Sequence, residues 1–165
     1  MDAIFQRLIE NNFSELPGLT IDASVPVPEP LVNELIAEAL RGNKNIEYCR
    51  VSIGAQNRVN VNLKTSLWPW PFNLKLKLFR SVDFSGSPKV RAFLENYAFL
   101  GKLGLLFKAL PDEITFYEDQ VSVDLGAYLQ SQEQKRLLRL IESVDIQTEP
   151  GRVIFDLKDR VSDTS

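Results

Sequence analysis

Residues 72–84 alternate between apolar and polar side chains over thirteen positions, and this pattern constrains the fold most strongly. Six of the seven even positions are apolar, whereas Phe79 is the one apolar residue at an odd position. A period of two places successive side chains on opposite faces of a β-strand. The pattern predicts a long strand, about 72–85, with one covered face and one solvated face. Arg80, at an even position, marks a bulge or the end of the apolar cover.

Shorter alternating runs predict further strands on both sides of this one. Strands at about 46–54 and 58–66 form a hairpin around the turn 54–57, and two more hairpins are predicted at about 113–125 and 144–158. Residues 19–25 indicate a short extended segment, and residues 89–96 fit either strand or helix. Strands that are apolar on alternate positions are typical of an antiparallel sheet with one solvated face.

Four segments carry apolar residues at helical spacing and are predicted as helices: 2–13, about 30–41, about 97–110 and about 131–142. In the second, the predicted apolar stripe contains Leu31, Val32, Leu35, Ile36, Ala39 and Leu40, with Asn33, Glu34, Glu38 and Arg41 on the opposite side. A length of 165 residues suits one domain. The predicted fold is therefore a single α+β domain in which amphipathic helices cover one face of a curved antiparallel sheet with long strands.

The residue content excludes several kinds of chemistry. The chain has no histidine and one cysteine, Cys49, so histidine-based triads and thiolate zinc sites are excluded. The carboxylate pairs Asp112–Glu113 and Glu118–Asp119 lie at predicted strand ends or turns, where acidic residues are solvated. We therefore predict no enzyme, no cofactor and no metal; an enzyme acting through carboxylate, tyrosine or lysine side chains is the weakest of three hypotheses.

Charge and hydropathy limit the partners. The net charge is −3, which argues against nucleic acid, because phosphate binding requires a clustered basic surface. The chain shows neither a secretory signal nor the roughly 20 apolar residues that cross a bilayer. The sequence predicts a cytoplasmic or peripheral membrane location.

The most unusual local sequence is Trp68-Pro69-Trp70-Pro71, which precedes the longest predicted strand. Its prolines indicate a loop, an edge or a bulge. Its indole rings either anchor the protein at a membrane interface or a pocket mouth, or else cap the core. Lys64, Lys75 and Lys77 lie on the polar side of the neighbouring strands, where they suit anionic headgroups or simply solvent.

The order of elements resembles a known family. An amphipathic helix precedes long alternating strands, a further apolar helix leads to ALPDEITFYEDQVSVDLGAYL at 109–129, and a helix and a hairpin close the chain. This order is similar to that of the small bacterial phospholipid-binding domains related to the tubular lipid-binding superfamily. The resemblance implies a long helix packed against a curved antiparallel sheet, with lipid in the groove between them.

Two functions follow as expectations. The first is binding of an apolar or lipid-like ligand in a groove between the helix at 30–41 and the apolar strand face. The alternative is a protein–protein interaction or scaffold module, for example a homodimer, that uses the 97–110 helix and the two tryptophans. The predicted ligand contacts are Leu35, Ile36, Leu40, Leu74, Leu76, Leu78, Trp68, Trp70, Phe99, Leu103 and Phe107, and the predicted headgroup contacts are Arg80, Lys75 and Lys77.

Overall fold

The computed structural model of the protein describes residues 20–83, 87–96, 103–128, 141 and 143–160. It confirms the α+β class, with helix packed against two antiparallel sheets. The predicted helix at 2–13, most of that at 131–142, and the first part of that at 97–110 lie outside the described residues, as does Phe99.

In chain order, the described elements are β1 (Thr20–Pro28), α1 (Glu29–Ala39), β2 (Ile46–Ile53), β3 (Arg58–Thr65), β4 (Phe72–Leu78), β5 (Lys89–Leu94), α2 (Leu103–Ala109), β6 (Ile114–Tyr117), β7 (Gln120–Asp124), a 3₁₀ turn (Gly126–Tyr128), β8 (Ser143–Glu149) and β9 (Arg152–Arg160). The larger sheet has the order β2-β3-β4-β5-β7-β6, and the smaller has the order β1-β9-β8. The segment 89–96, which fitted either strand or helix, contains strand β5.

The long alternating run is shorter as a regular strand than the sequence predicted. β4 ends at Leu78 instead of about residue 85, and the chain bends at residues 79–80. Beyond the bend, Ser81 forms an isolated bridge to Asp145 of β8, and Asp83 forms one to Lys89. The alternation continues past β4 because the same chain segment changes neighbours and links the two sheets.

Asn57 fixes this junction between the two sheets. It lies in the β2–β3 turn with a φ of 61°, a left-handed conformation that asparagine tolerates. Its side chain donates from Nδ2 to the Ile146 carbonyl oxygen at 2.9 Å and accepts at Oδ1 from the Thr148 N–H at 2.9 Å. Its own carbonyl accepts from the Leu78 N–H at 2.8 Å. One residue therefore satisfies backbone groups of both β8 and β4.

Helix α1 covers the free edge of β2. The Asn33 side chain donates to the Val51 carbonyl oxygen at 2.9 Å and accepts from the Val51 N–H at 2.7 Å. The Glu29 carboxylate accepts from the Ile53 N–H at 2.8 Å. An uncovered edge strand would offer these groups to another chain, so the helix closes that edge.

This arrangement corrects the predicted orientation of α1. Asn33 was placed opposite the contacting face, yet its side chain forms two hydrogen bonds with the backbone of Val51 in β2. The half-buried residues of the helix are Glu29, Val32, Asn33 and Ile36, whereas Leu31, Leu35 and Ala39 of the predicted stripe are exposed. The helix is turned because the unpaired backbone of β2 needs polar partners, which apolar side chains cannot provide.

Two apolar clusters lie beneath the larger sheet. The first joins Leu63, Phe72, Leu74, Leu94 and Leu106, and Leu106 of α2 has no exposed surface. The second joins Ile53 of β2 to Ile146 and Val153 of the smaller sheet. The larger sheet is thus covered by α2 in one place and by the β8–β9 hairpin in another.

Candidate functional site

The structure distributes the predicted ligand contacts over several environments. Leu74 is buried in the first cluster, where Leu76 and Trp68 pack against it, whereas Leu78 packs against the second cluster. Ile36 of α1 and Leu40, which directly follows the helix, are half-buried, and Leu35 is 58% exposed. The side chains of Leu103 and Phe107 lie outside the described part of the chain. Leu35 and Leu74 therefore do not face each other across a shared groove.

A groove beside α1 is lined by both polar and apolar residues of the larger sheet. It has a volume of about 520 Å³ and runs between α1 and the outer face of β2, β3 and β4. Its lining is formed by Glu29, Asn33, Arg50, Val51, Ser52, Asn60, Val61, Asn62, Asn73, Leu74 and Lys75. Leu74 and Lys75 are the predicted contacts among these lining residues, whereas Leu35, Ile36 and Leu40 of the helix are not among them.

The two tryptophans of the loop at residues 66–71, called the Trp70 loop below, lie in different environments. Trp68 packs against the first apolar cluster, while Trp70 is 69% exposed. The Lys64 ammonium donates to the Trp68 carbonyl oxygen at 2.8 Å, and the Ser66 N–H donates to the Asn45 carbonyl oxygen at 3.0 Å. Leu67 is also exposed, as are both prolines. The loop is anchored at Trp68 and presents Trp70 to solvent.

The predicted headgroup contacts fall on two different surfaces. Lys75 and Lys77 project from the outer face of β4. Arg80 instead lines a cleft of about 310 Å³ against the smaller sheet. Three aspartates and one lysine share that cleft, namely Asp22, Asp145, Asp156 and Lys158. Arg80 and the two lysines therefore do not form one cationic mouth.

Sequence reasoning missed an aromatic cluster on the outer face. The rings of Phe79 and Phe93 lie 4.5 Å apart between centroids, and the Arg91 guanidinium lies 4.8 Å from the centre of the Phe79 ring. The signal was Phe79, the single apolar residue at an odd position of the alternating run. The partners could not be found from the sequence because the pairing of β4 with β5 was not predicted.

Three titratable groups among the described residues have shifted pKa values, each for a local reason. Burial raises the pKa of the Cys49 thiol from 9.0 to about 11, which disfavours the reactive thiolate. The hydrogen bond from the Ser87 hydroxyl, supported by the backbone N–H groups of Gly126 and Ala127, lowers the pKa of Asp124. Burial, followed by the charge of Glu113, raises the pKa of Tyr128. Across the residues that the structure describes, no group of three or more acidic or cysteine side chains could hold a metal ion.

No helix within the described segments is both long and apolar enough to cross a membrane. Comparison with protein-family models, with curated proteins and with solved structures finds no match to this chain.

Proposed function

We propose that this chain is a non-catalytic domain that binds lipid or a similar apolar ligand, and that it meets the lipid surface through the Trp70 loop. The observation that carries the proposal is the exposure of 69% of Trp70 on a loop whose other tryptophan is packed into the core. Tryptophan is enriched where one end of the ring is apolar and the other is in water, as at a membrane interface.

The build of the loop supports this role. Pro69 and Pro71 restrict the backbone on both sides of Trp70, so little conformational entropy is lost when the indole ring inserts. Leu67 adds a second exposed apolar side chain. The Lys64 ammonium donates to the Trp68 carbonyl oxygen at 2.8 Å, which places a cation next to the loop. A basic residue beside an inserted tryptophan favours an anionic membrane surface.

The apolar side of the larger sheet is where an acyl chain would be held. Leu76, Leu78 and Val90 remain only partly buried among the described residues, while Leu74 and Leu94 beside them are buried. Burial of an acyl chain against such side chains contributes about 0.8 kcal/mol per methylene group. This internal groove stays a prediction, and native mass spectrometry of the purified protein tests it by detecting co-purified lipid.

Vesicle co-sedimentation tests the surface contact. We expect Trp70→Ala to weaken binding to phosphatidylglycerol-containing vesicles about tenfold, because one large apolar anchor contributes about 1.5–3 kcal/mol. Tyr117→Ala is the matched control, since Tyr117 is an exposed aromatic residue on β6, an edge strand of the larger sheet that does not adjoin β3 or β4. Equal binding by both variants and the unchanged protein would remove the Trp70 loop from the proposal.

A protein partner is the second candidate for the same loop. Exposed tryptophans also anchor protein interfaces. The predicted contribution of the 97–110 helix has less support, because Leu106 and Ala109 of α2 are buried within the chain. Light scattering separates the two candidates: a dimer that Trp70→Ala dissociates, without vesicle binding by either protein, would favour self-association.

A further inference from the structure

The groove beside α1 presents polar side chains in an ordered array. Arg50, Asn62 and Asn73 lie directly opposite one another across β2, β3 and β4, and Ser52, Asn60 and Lys75 form the next row. Glu29 and Asn33 of α1 form the wall at the edge of β2. We call this volume of about 520 Å³ the amide groove.

Several of these polar groups are already used, and those that remain define the ligand chemistry. Both ends of the Asn33 amide bond to Val51, one Glu29 oxygen accepts from Ile53, and Asn62 donates to Asn73. The remaining groups are the Arg50 guanidinium, the Lys75 ammonium, the Ser52 hydroxyl and the Asn60 amide, none of which has a side-chain hydrogen bond within the described part of the protein.

Among the other cations on this face, Arg58 and Lys64 lie near carboxylates, whereas Lys77, like the two cations of the groove, has no ion pair with a described residue. Arg58 lies 3.5 Å from a Glu95 oxygen, and Lys64 lies 3.5 Å from a Glu47 oxygen. Arg50 and Lys75 have no ion pair with any described residue, and the groove lining contains a single carboxylate, that of Glu29. In a protein with a net charge of −3, an unneutralised pair of cations in one concave site favours an anionic ligand.

We infer that the amide groove binds a phosphate-bearing polyol, such as a glycerophosphate group. Arg50 and Lys75 lie two strands apart and two residues apart along the strands, which corresponds to about 12 Å between their backbones. Their long side chains reach a single phosphate from opposite sides, and arginine can hold it with two parallel hydrogen bonds. The Ser52 hydroxyl and the Asn60 amide then bind hydroxyl groups of the ligand. No aromatic residue lines the groove, which argues against stacked nucleic-acid bases.

The same chemistry occurs in a lipid headgroup and in a free phosphorylated metabolite. The outer face continues from the groove to Tyr48 and Lys64, which pair across β2 and β3 one row nearer the Trp70 loop. A headgroup could therefore reach the groove from a membrane that touches this loop. The groove itself does not depend on that contact, so its ligand can be tested separately.

The experiment uses glycerol phosphate as the soluble probe and follows backbone amide signals by NMR. We expect concentration-dependent shifts at residues 50–52, 60–62 and 73–75. In the double variant Arg50→Gln, Lys75→Gln, affinity should fall at least about tenfold, as expected for the loss of charge-assisted hydrogen bonds. The charge-matched control is Lys89→Gln, Lys108→Gln, which removes two exposed lysines outside the groove and should change affinity less than about twofold. No shifts in these strands, or equal losses in both double variants, would overturn the inference.

Vesicles distinguish the two sources of the ligand. Vesicles of phosphatidylcholine alone and of equal parts phosphatidylcholine and phosphatidylglycerol are compared with the soluble probe. If the groove variant loses both glycerol phosphate and the phosphatidylglycerol preference, the ligand is a headgroup; if it loses only glycerol phosphate binding, the ligand is a free metabolite. A Trp70→Ala protein that binds glycerol phosphate normally but does not bind vesicles would show that the groove and the loop act independently. If the unchanged protein binds vesicles but not glycerol phosphate, the groove inference fails and the proposal for the Trp70 loop still stands.

Discussion

The larger sheet is stabilised by apolar packing beneath α2 and by amide hydrogen bonds where it meets α1 and β8. Leu106 of α2 has no exposed surface and packs against buried side chains of the sheet. At the other boundary, Asn33 and Asn57 bond to backbone groups of neighbouring strands. Apolar packing is non-directional and supplies most of the stabilising free energy, whereas the amides select one register and one arrangement of the elements.

The largest effect is expected from truncation in the apolar region. Leu106→Ala leaves a cavity against Phe72 and Leu94, so the free energy of unfolding should fall by about 2–5 kcal/mol. Urea denaturation followed by circular dichroism measures the change. Leu35→Ala is the control, because Leu35 is an exposed leucine on the other helix and its loss should cost no more than about 0.5 kcal/mol. Similar losses in the free energy of unfolding for both variants would mean that packing of α2 against the sheet contributes little to stability.

Loss of the Asn57 amide at the junction with β8 should lower the free energy of unfolding by less than truncation of Leu106. Asn57→Ala leaves the Ile146 carbonyl and the Thr148 N–H without this partner and places alanine at a positive φ, so we expect a loss of about 2–3 kcal/mol. Gln56→Ala is the matched control: Gln56 has a φ of 57° in the same turn, and its side chain is exposed. Urea denaturation again gives the difference, and equal losses would assign the whole effect to backbone strain instead of the junction.

This comparison also explains which parts of the fold could be predicted. The apolar alternation of β2, β3 and β4 is a local signal, and it placed Leu63, Phe72 and Leu74 on the covered face. The amide contacts are not local: Asn57 and Thr148 are 91 positions apart along the chain. An asparagine that bonds to a distant backbone has the same sequence appearance as one in water, so Asn33 was placed on the wrong side of its helix.

The candidate sites follow the same division. The Trp-Pro repeat was visible in the sequence, but the sequence did not show which tryptophan enters the core. The amide groove was less visible still, because Arg50, Asn62 and Asn73 come from three strands and meet only through the register of the sheet. Lys75 was the one member of the array that the alternation pattern identified as a contact.

The reactivity of the Cys49 thiol measures how well the first apolar cluster is closed, because Cys49 packs against that cluster. This measurement leaves the amide contacts of Asn33 and Asn57 unchanged. The pKa of Cys49 is raised to about 11 in the folded protein from an ordinary value of 9.0, so the folded state favours the neutral thiol. This contribution to stability is present below about pH 9 and is lost as the pH rises toward about 11. At neutral pH the native thiolate fraction is about a hundredfold lower than in the unfolded chain, and alkylation by iodoacetamide, followed by mass spectrometry, should be correspondingly slow.

The variants Leu106→Ala and Asn57→Ala should differ in the alkylation rate of Cys49. Leu106→Ala opens the cluster that buries Cys49, so alkylation of the folded variant should accelerate. Asn57→Ala loosens the junction with β8, and native alkylation should stay close to the rate of the unchanged protein wherever the variant remains folded. Asn57→Ala could instead accelerate alkylation as much as Leu106→Ala does when the two variants are compared at equal stability. That result would mean that the apolar cluster and the junction with β8 open together as one cooperative unit. The two regions would then be distinct in structure but not in their free energies of opening.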